Sequence, residues 1–303
     1  AINNLAGIYI NTNKQNEAIE LLKKCLLINP NYEQALTNLA VVLQDKKDFS
    51  NSLKYYEKAI ELRPGFEKAI VQKLFIKKNL CDWSNIKNDL DQVEYINNST
   101  QEVTPWQLLS MDDNPELEYL RAKKYSRQYK SLRSKTYKIS KNSKIKIGYF
   151  TPDFYYHAGM MNMEGLFKHH NKNKFEIIGF DYGYGKKDET HFRIKKYFDK
   201  FYYVSDLSDK KIADLAIENQ IDISIHRNGY SQNSRTKIFS YNPSLLQISF
   251  LGYPGTTALE TIDYIIADKI VIPKKNFKFF TEKIIFMPNS YFPTYNQRLI
   301  SDK

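Results

Sequence analysis

Apolar and polar positions change their period once along this chain. Over the first hundred residues the apolar side chains recur at helical spacing, so each segment turns one face toward a core. From Lys144 onward they alternate or run unbroken over short segments, with helix-length stretches between. Strands are expected at 144–150 (KIKIGYF), 175–182 (FEIIGFDY) and 201–206 (FYYVSD), at Ile221, Ile223 and Ile225, over 246–251, and at 263–268 (DYIIAD) and 283–288 (KIIFMP). Helices are expected at 159–170, 189–198 and 209–220, the last with Ile212, Leu215, Ala216 and Ile217 inward. Strands alternating with helices build a parallel sheet covered on both faces.

The helical part repeats itself. Asn4-Leu5-Ala6 matches Asn38-Leu39-Ala40 at an offset of 34, which also pairs Ala18 with Ser52, Leu22 with Tyr56, Cys25 with Ala59, Pro30 with Pro64 and Ala35 with Ala69. That is the tetratricopeptide period, with small residues where paired helices approach and a Pro ending each second helix. A third unit from Glu67 places Val93 and Asn98 where a small residue and Pro are due, and reads as an end cap. Residues 1–98 are assigned to these repeats, in an array expected to continue upstream of Ala1. It either offers a concave face to partner proteins or packs only on the next domain.

Residues 99–142 read as a connector. Thr104-Pro105-Trp106 opens it, Asp112-Asp113-Asn114-Pro115 resembles a helix start, 116–133 is expected to be helical, and 135–143 a mobile polar linker. Residues 143–303 then form one Rossmann-like unit, giving an α + α/β fold class overall. No GxGxxG follows its first strand, which argues against a dinucleotide dehydrogenase.

Bulk properties exclude more than they identify. No run of eighteen apolar residues occurs in the 303, so no membrane helix is expected. The net charge is +11, yet only eight of the 45 basic residues are Arg and the Lys residues are spread throughout. That is a solvated surface rather than a nucleic-acid interface. Cys25 and Cys81 are distant and form no CxxC pair, so neither disulfides nor zinc are expected and a cytoplasmic setting fits.

Chemistry is expected between Ile221 and Thr257, where two strands run into loops rich in small and polar residues. These are Asn228-Gly229-Tyr230 and Gly252-Tyr253-Pro254-Gly255-Thr256. Ligands of open α/β sheets sit beyond the carboxyl ends of the strands. Gly252, Pro254 and Gly255 make a turn whose amides can approach a sugar or phosphate oxygen, or simply a tight loop; Thr256 and Tyr253 add hydroxyls. Arg235 either neutralises phosphate or pairs with a nearby acid. His157, after the first strand, either exchanges protons with a substrate or bonds the backbone. His226 either faces the cleft or, the favoured reading, is a partly exposed loop residue; Asp222 reads as structural, His169 and His170 as surface, and His191 as capping or packing.

These blocks together resemble the tetratricopeptide-containing glycosyltransferases of the O-linked N-acetylglucosamine transferase and SPINDLY family. The resemblance is carried by 145–161 (IKIGYFTPDFYYHAGMM), 173–183, 191–199, 221–235 (IDISIHRNGYSQNSR), 246–257 (LQISFLGYPGTT) and 263–273, with the connector at 105–122. It implies a GT-B architecture of two Rossmann-like halves, of which this chain supplies the first and lacks the second, and is thus an incomplete enzyme. It also implies transfer of a sugar, N-acetylglucosamine above fucose or glucose, to Ser or Thr of acceptor proteins bound through the repeats. The donor is a nucleotide sugar, UDP-N-acetylglucosamine, used with inversion and without a metal or other cofactor; the alternative is a non-catalytic scaffold. His157 matches an active-site histidine, and the substrate-binding set is Asn228, Gly229, Tyr230, Arg235, Leu251, Gly252, Tyr253, Pro254, Gly255 and Thr256. Asp222 stands where animal relatives carry a second histidine. His226 and Arg227 depart from the aliphatic or amide residues more usual there.

Overall fold

The computed structural model describes residues 1–12, 14–99, 103–134, 144–185, 187–294. The expected linker at 135–143 lies outside them. The chain divides into two compact units, Ala1–Asn114 and Pro115–Lys303.

The first unit is three helical hairpins. They are α1 (Ile2–Asn11) with α2 (Gln15–Ile28), α3 (Glu33–Asp45) with α4 (Phe49–Leu62), and α5 (Glu67–Asn79) with α6 (Ile86–Asn98). The positions matched at the 34-residue offset are the buried ones: Ala6 and Ala40, Ala18 and Ser52, Cys25 and Ala59, Ala35 and Ala69. Ser52 takes the place of Ala18 at no polar cost, because its hydroxyl donates to the Ala40 carbonyl at 2.7 Å. Ahead of Pro30 and Pro64, Asn29 and Arg63 take the extended backbone that a following proline demands, and both second helices stop there. The third hairpin is closed differently. Val93 is buried in α6, a 3-10 turn at Pro105–Leu108 sets Leu108 among Ile70, Val71, Leu74, Val93 and Ile96, and a Lys77–Asp89 ion pair ties α5 to α6.

The second unit opens with α7 (Pro115–Tyr125) and a 3-10 turn (Ser126–Gln128), so the helix expected over 116–133 is shorter than its pattern. Seven strands follow among the described residues: β1 (Ile145–Thr151), β2 (Phe175–Asp181), β3 (Lys200–Tyr203), β4 (Ile223–His226), β5 (Leu246–Ser249), β6 (Tyr264–Ala267) and β7 (Lys283–Phe286). All pairings are parallel, in the order β3-β2-β1-β4-β5-β6-β7. The helices between them are α8 (Ala158–His169), α9 (Glu189–Lys195), α10 (Asp209–Glu218) and the short α11 (Lys237–Ser240).

Two apolar layers explain the unbroken strand patterns. On one face Ile147, Tyr149, Ile177, Ile225 and Ile248 meet Met160, Met163 and Phe167 of α8 and Ile194 of α9. On the other, Phe150, Ile178 and Phe180 meet Ile212, Ala213 and Ala216 of α10 and Ile238 and Phe239 of α11.

An aspartate precedes three of the strands and sets their register. Asp199, Asp222 and Asp263 each donate a backbone amide to the neighbouring strand and accept an amide of that strand on the carboxylate, at Ile177, Lys146 and Gln247, all at 2.8 Å. Asp222 therefore works at the amino ends of β1 and β4, away from the edge where ligands bind such sheets. The strand order reverses between β1 and β4, and the carboxyl edge at such a reversal is where open α/β sheets bind their ligands.

Candidate functional site

Three loops meet at that reversal point, those after β1, β4 and β5, and Arg227 joins them. It is 4% exposed. One guanidinium nitrogen pairs with Asp153 in the loop after β1 and lies 3.4 Å from the hydroxyl of Thr151, the last residue of β1. The same Asp153 oxygen accepts the side-chain amide of Asn228 at 2.8 Å, so one carboxylate ties the β4 loop to the β1 loop twice. A Cβ on Gly159, at the start of α8, would overlap the guanidinium and lie 2.5 Å from Cζ. A Cβ on Gly252 would overlap the Arg227 carbonyl oxygen, and one on Gly229, whose φ is +49°, would lie 2.6 Å from Cγ of Tyr253. These glycines let three loops pack backbone to backbone.

His157 is the N-cap of α8. Its Nδ1 accepts the Gly159 amide at 3.1 Å, which in the neutral ring leaves the proton on Nε2. The ring is partly exposed and packs edge-on to Tyr155 at 5.7 Å between centroids. The free face of His157 thus offers a donor N–H. Asp181 ends β2 in register with Thr151 and is 7% exposed. Burial pushes its carboxyl up to about 7, with Asp153 adding to the rise and the Gly183 amide and Lys187 opposing it. A carboxyl near neutrality on this edge can hold or release a proton.

The expected site residues separate into two groups. Asn228, Gly229 and Gly252 gather with His157 around the Asp153–Arg227 pair, Tyr253 lies between Gly229 and the Tyr230 ring, and Leu251 takes a left-handed backbone at φ +77° to aim the turn. Pro254 is exposed at its tip and Gly255 lies under the Tyr253 ring. The rest point elsewhere. Tyr230 packs on Tyr125 and Tyr129 and donates its hydroxyl to the Thr257 carbonyl at 2.5 Å. Thr256 donates to buried Glu282 at 2.5 Å. Arg235 pairs with Asp209 at 2.7 Å and donates to the carbonyls of Val204, Ser205 and Leu207, pinning the loop after β3.

His226 is a correction. It is the last residue of β4, fully buried against the Phe239 ring at 4.1 Å, with neither ring nitrogen hydrogen-bonded. Ile225 to Tyr230 stays buried beyond the strand end, which a polar HRN sequence conceals. His170 is likewise half-buried rather than surface, bonded to the Tyr149 hydroxyl at 2.7 Å. His191 packs inside, donating from Nδ1 to the Phe154 carbonyl at 2.6 Å and accepting from Tyr203 at 2.9 Å. Arg227, Asp153, Asp181 and Glu282 were not among the expected site residues. An acid or base at or within two residues of the carboxyl end of a buried strand was the signal for the first three.

The profile of Glycosyl transferase family 41 matches residues 122–301, and tetratricopeptide-repeat profiles match 1–32 and 33–66. The chain belongs to family 41. It is 34% identical over 151 residues to the probable UDP-N-acetylglucosamine–peptide N-acetylglucosaminyltransferase SEC of Arabidopsis thaliana, covering 49% of this chain and 15% of that protein. A Caenorhabditis elegans UDP-N-acetylglucosamine–peptide N-acetylglucosaminyltransferase is 32% identical over 160 residues, covering 52% and 14%. The rice (Oryza sativa subsp. japonica) protein SPINDLY, which carries the same probable transferase name as SEC, is 28% identical over 151 residues, covering 48% and 16%. The chain thus spans 14–16% of the length of these relatives. Among solved structures, a mutant Thermobaculum terrenum O-GlcNAc transferase superposes with a TM-score of 0.76 at 16% identity, over 97% of this chain and 58% of that one. The fold is therefore helical repeats followed by the Rossmann-like half of a family 41 glycosyltransferase. Among the described residues no helix is long and apolar enough to cross a membrane.

Proposed function

We propose that this chain supplies the repeats and the first Rossmann-like half of a protein O-glycosyltransferase. The enzyme moves N-acetylglucosamine from UDP-N-acetylglucosamine to Ser or Thr hydroxyls. The acceptor oxygen forms a bond to the anomeric carbon as the bond to the diphosphate breaks, with inversion. The observation that carries this reading is that the family 41 match runs through all three loops at the sheet's reversal point.

His157 is the catalytic candidate there. With Nδ1 occupied by the Gly159 amide, its Nε2–H donates to a substrate oxygen and orients it rather than removing its proton. Asn228, Gly229, Gly252, Tyr253 and Gly255 shape the wall against which the sugar and acceptor lie. The repeats bring the acceptor proteins. A cytoplasmic setting suits the chain, because Cys25 and Cys81 are both free thiols.

The test is to express the full reading frame that encodes this chain and offer it UDP-N-acetylglucosamine beside GDP-fucose and UDP-glucose, following acceptor protein mass. A mass increase of one N-acetylhexosamine from the first donor is the expected result. Transfer from another donor would reassign the sugar, and no turnover by folded protein would leave a binding scaffold.

A further inference from the structure

The Asp153–Arg227 pair calls for an explanation other than stability. Taking both charges out of water costs about what their attraction returns, so a buried pair of this kind contributes little net stability. Its location adds a second cost. Arg227 lies against the first turn of α8, the positive end of a twelve-residue helix, where a cation is disfavoured. Gly159 adds a third, since glycine is a poor helix former. All three features have one geometric consequence. The guanidinium fills the space a side chain at position 159 would take, while Gly252 presses on the same residue's carbonyl from the β5 loop.

We propose that Arg227 is a positioning residue. Held by Asp153 and seated on Gly159, it fixes the first turn of α8 and, through the Gly159 amide, the ring of His157. The chain of contact is continuous. Asp153 receives Arg227 and Asn228; Arg227 abuts Gly159; the Gly159 amide donates to Nδ1 of His157 at 3.1 Å. The Asp153 amide donates to the Thr151 hydroxyl oxygen at 3.2 Å, and that hydroxyl lies 3.5 Å from the carboxylate, so Asp153 is itself tied to the end of β1. Arg227 needs no contact with substrate to act in this way. Lysine cannot replace it, because the planar fork that meets Asp153 with one nitrogen and Gly159 with another has no counterpart in a single ammonium. The inference deepens the transferase reading above and rests on it for its catalytic meaning, but its structural core can be measured without any substrate.

The test uses the 303-residue chain and, in parallel, the full reading frame. In the chain, amide exchange at Gly159 and the through-hydrogen-bond coupling between its nitrogen and Nδ1 of His157 are followed by NMR. Arg227→Met should speed Gly159 exchange about tenfold and abolish the coupling, while amides in β5 and β6 keep their protection. Because that variant leaves Asp153 buried alone, the double change Asp153→Asn with Arg227→Met is made as well. It should fold and still show the loosened Gly159 amide, and Arg227→Lys should not restore the coupling. In the protein expressed from the full reading frame, Arg227→Met should lower kcat about tenfold with donor KM little changed, and adding it to His157→Ala should cost nothing more. An unchanged Gly159 amide in the charge-free double variant overturns the proposal. So does additivity with His157→Ala. Absence of turnover in the wild type would count against the transferase reading, and the Gly159 measurement would still decide the positioning.

Discussion

Glu282 holds Thr257 by two atoms, accepting its amide at 2.8 Å and its hydroxyl at 2.6 Å, while its other oxygen accepts the Thr256 hydroxyl at 2.5 Å. A buried carboxylate at the start of β7 thereby anchors the end of the loop that follows β5. Glu282→Ala leaves these buried donors unpaired and should lower the unfolding free energy by about 2–4 kcal/mol, read as a lower denaturant midpoint. Glu282→Gln, which keeps an acceptor oxygen, should lose less.

Arg235 acts at a distance from the reversal point, as a staple on the loop after β3. With Asp209 and three backbone carbonyls as partners, Arg235→Ala should cost about 2–3 kcal/mol. Arg235→Lys should recover less than half of that, since an ammonium cannot span the same acceptors. Equilibrium unfolding of the two variants checks it.

His226 makes the fold acid-sensitive. Burial depresses its pKa to about 3, whereas the unfolded ring titrates near 6.5. Between those values the unfolded chain binds the proton and the folded one does not, so stability falls as pH drops from about 6.5 through about 3. His226→Phe keeps the ring against Phe239 and should flatten that limb of the stability profile.

Asp181 contributes the opposite slope. Its folded pKa near 7 lies above the unfolded carboxylate value, so its stabilisation is full below about 3.8 and is lost as pH rises through about 7. Asp181→Asn removes the ionisation and should gain on the wild type from about pH 4 to about pH 7 and level off above that. Chemical denaturation across that range gives the difference directly.

Periodicity and spacing made most of this architecture readable. The 34-residue offset found the buried helix positions because close helix approach admits only small side chains, and the alternating strands all appear within a few residues of their expected ends. The helix expected over 116–133 stops at Tyr125, since the basic stretch beyond it is held by tertiary contacts: Ser131 donates its amide to Glu260, and Arg133 pairs with Asp214. The site was legible in part. Glycines in LGYPGT announce a close approach, but nothing local says that the approaching group is the backbone of Arg227. His226 was misjudged, and Arg227 passed over, for a physical reason. Polarity implies exposure only when a side chain lacks an internal partner or a layer above it, and here Asp153 pairs the one while Phe239 covers the other. Arg235 and Thr256 have ligand-binding chemistry, yet the fold has already spent their hydrogen bonds.

The transferase reading proposed above turns on whether Nε2 of His157, at the sheet's reversal point, donates to substrate. Its most direct test is steady-state transfer from UDP-N-acetylglucosamine by the full reading frame with His157, His157→Ala and His157→Gln. Glutamine carries a side-chain N–H and can replace the donor but cannot serve as a base. The alanine variant should lose about 100-fold in kcat and glutamine should recover a substantial part of that loss. Full activity in His157→Ala, or equal losses in the two variants, would contradict that reading.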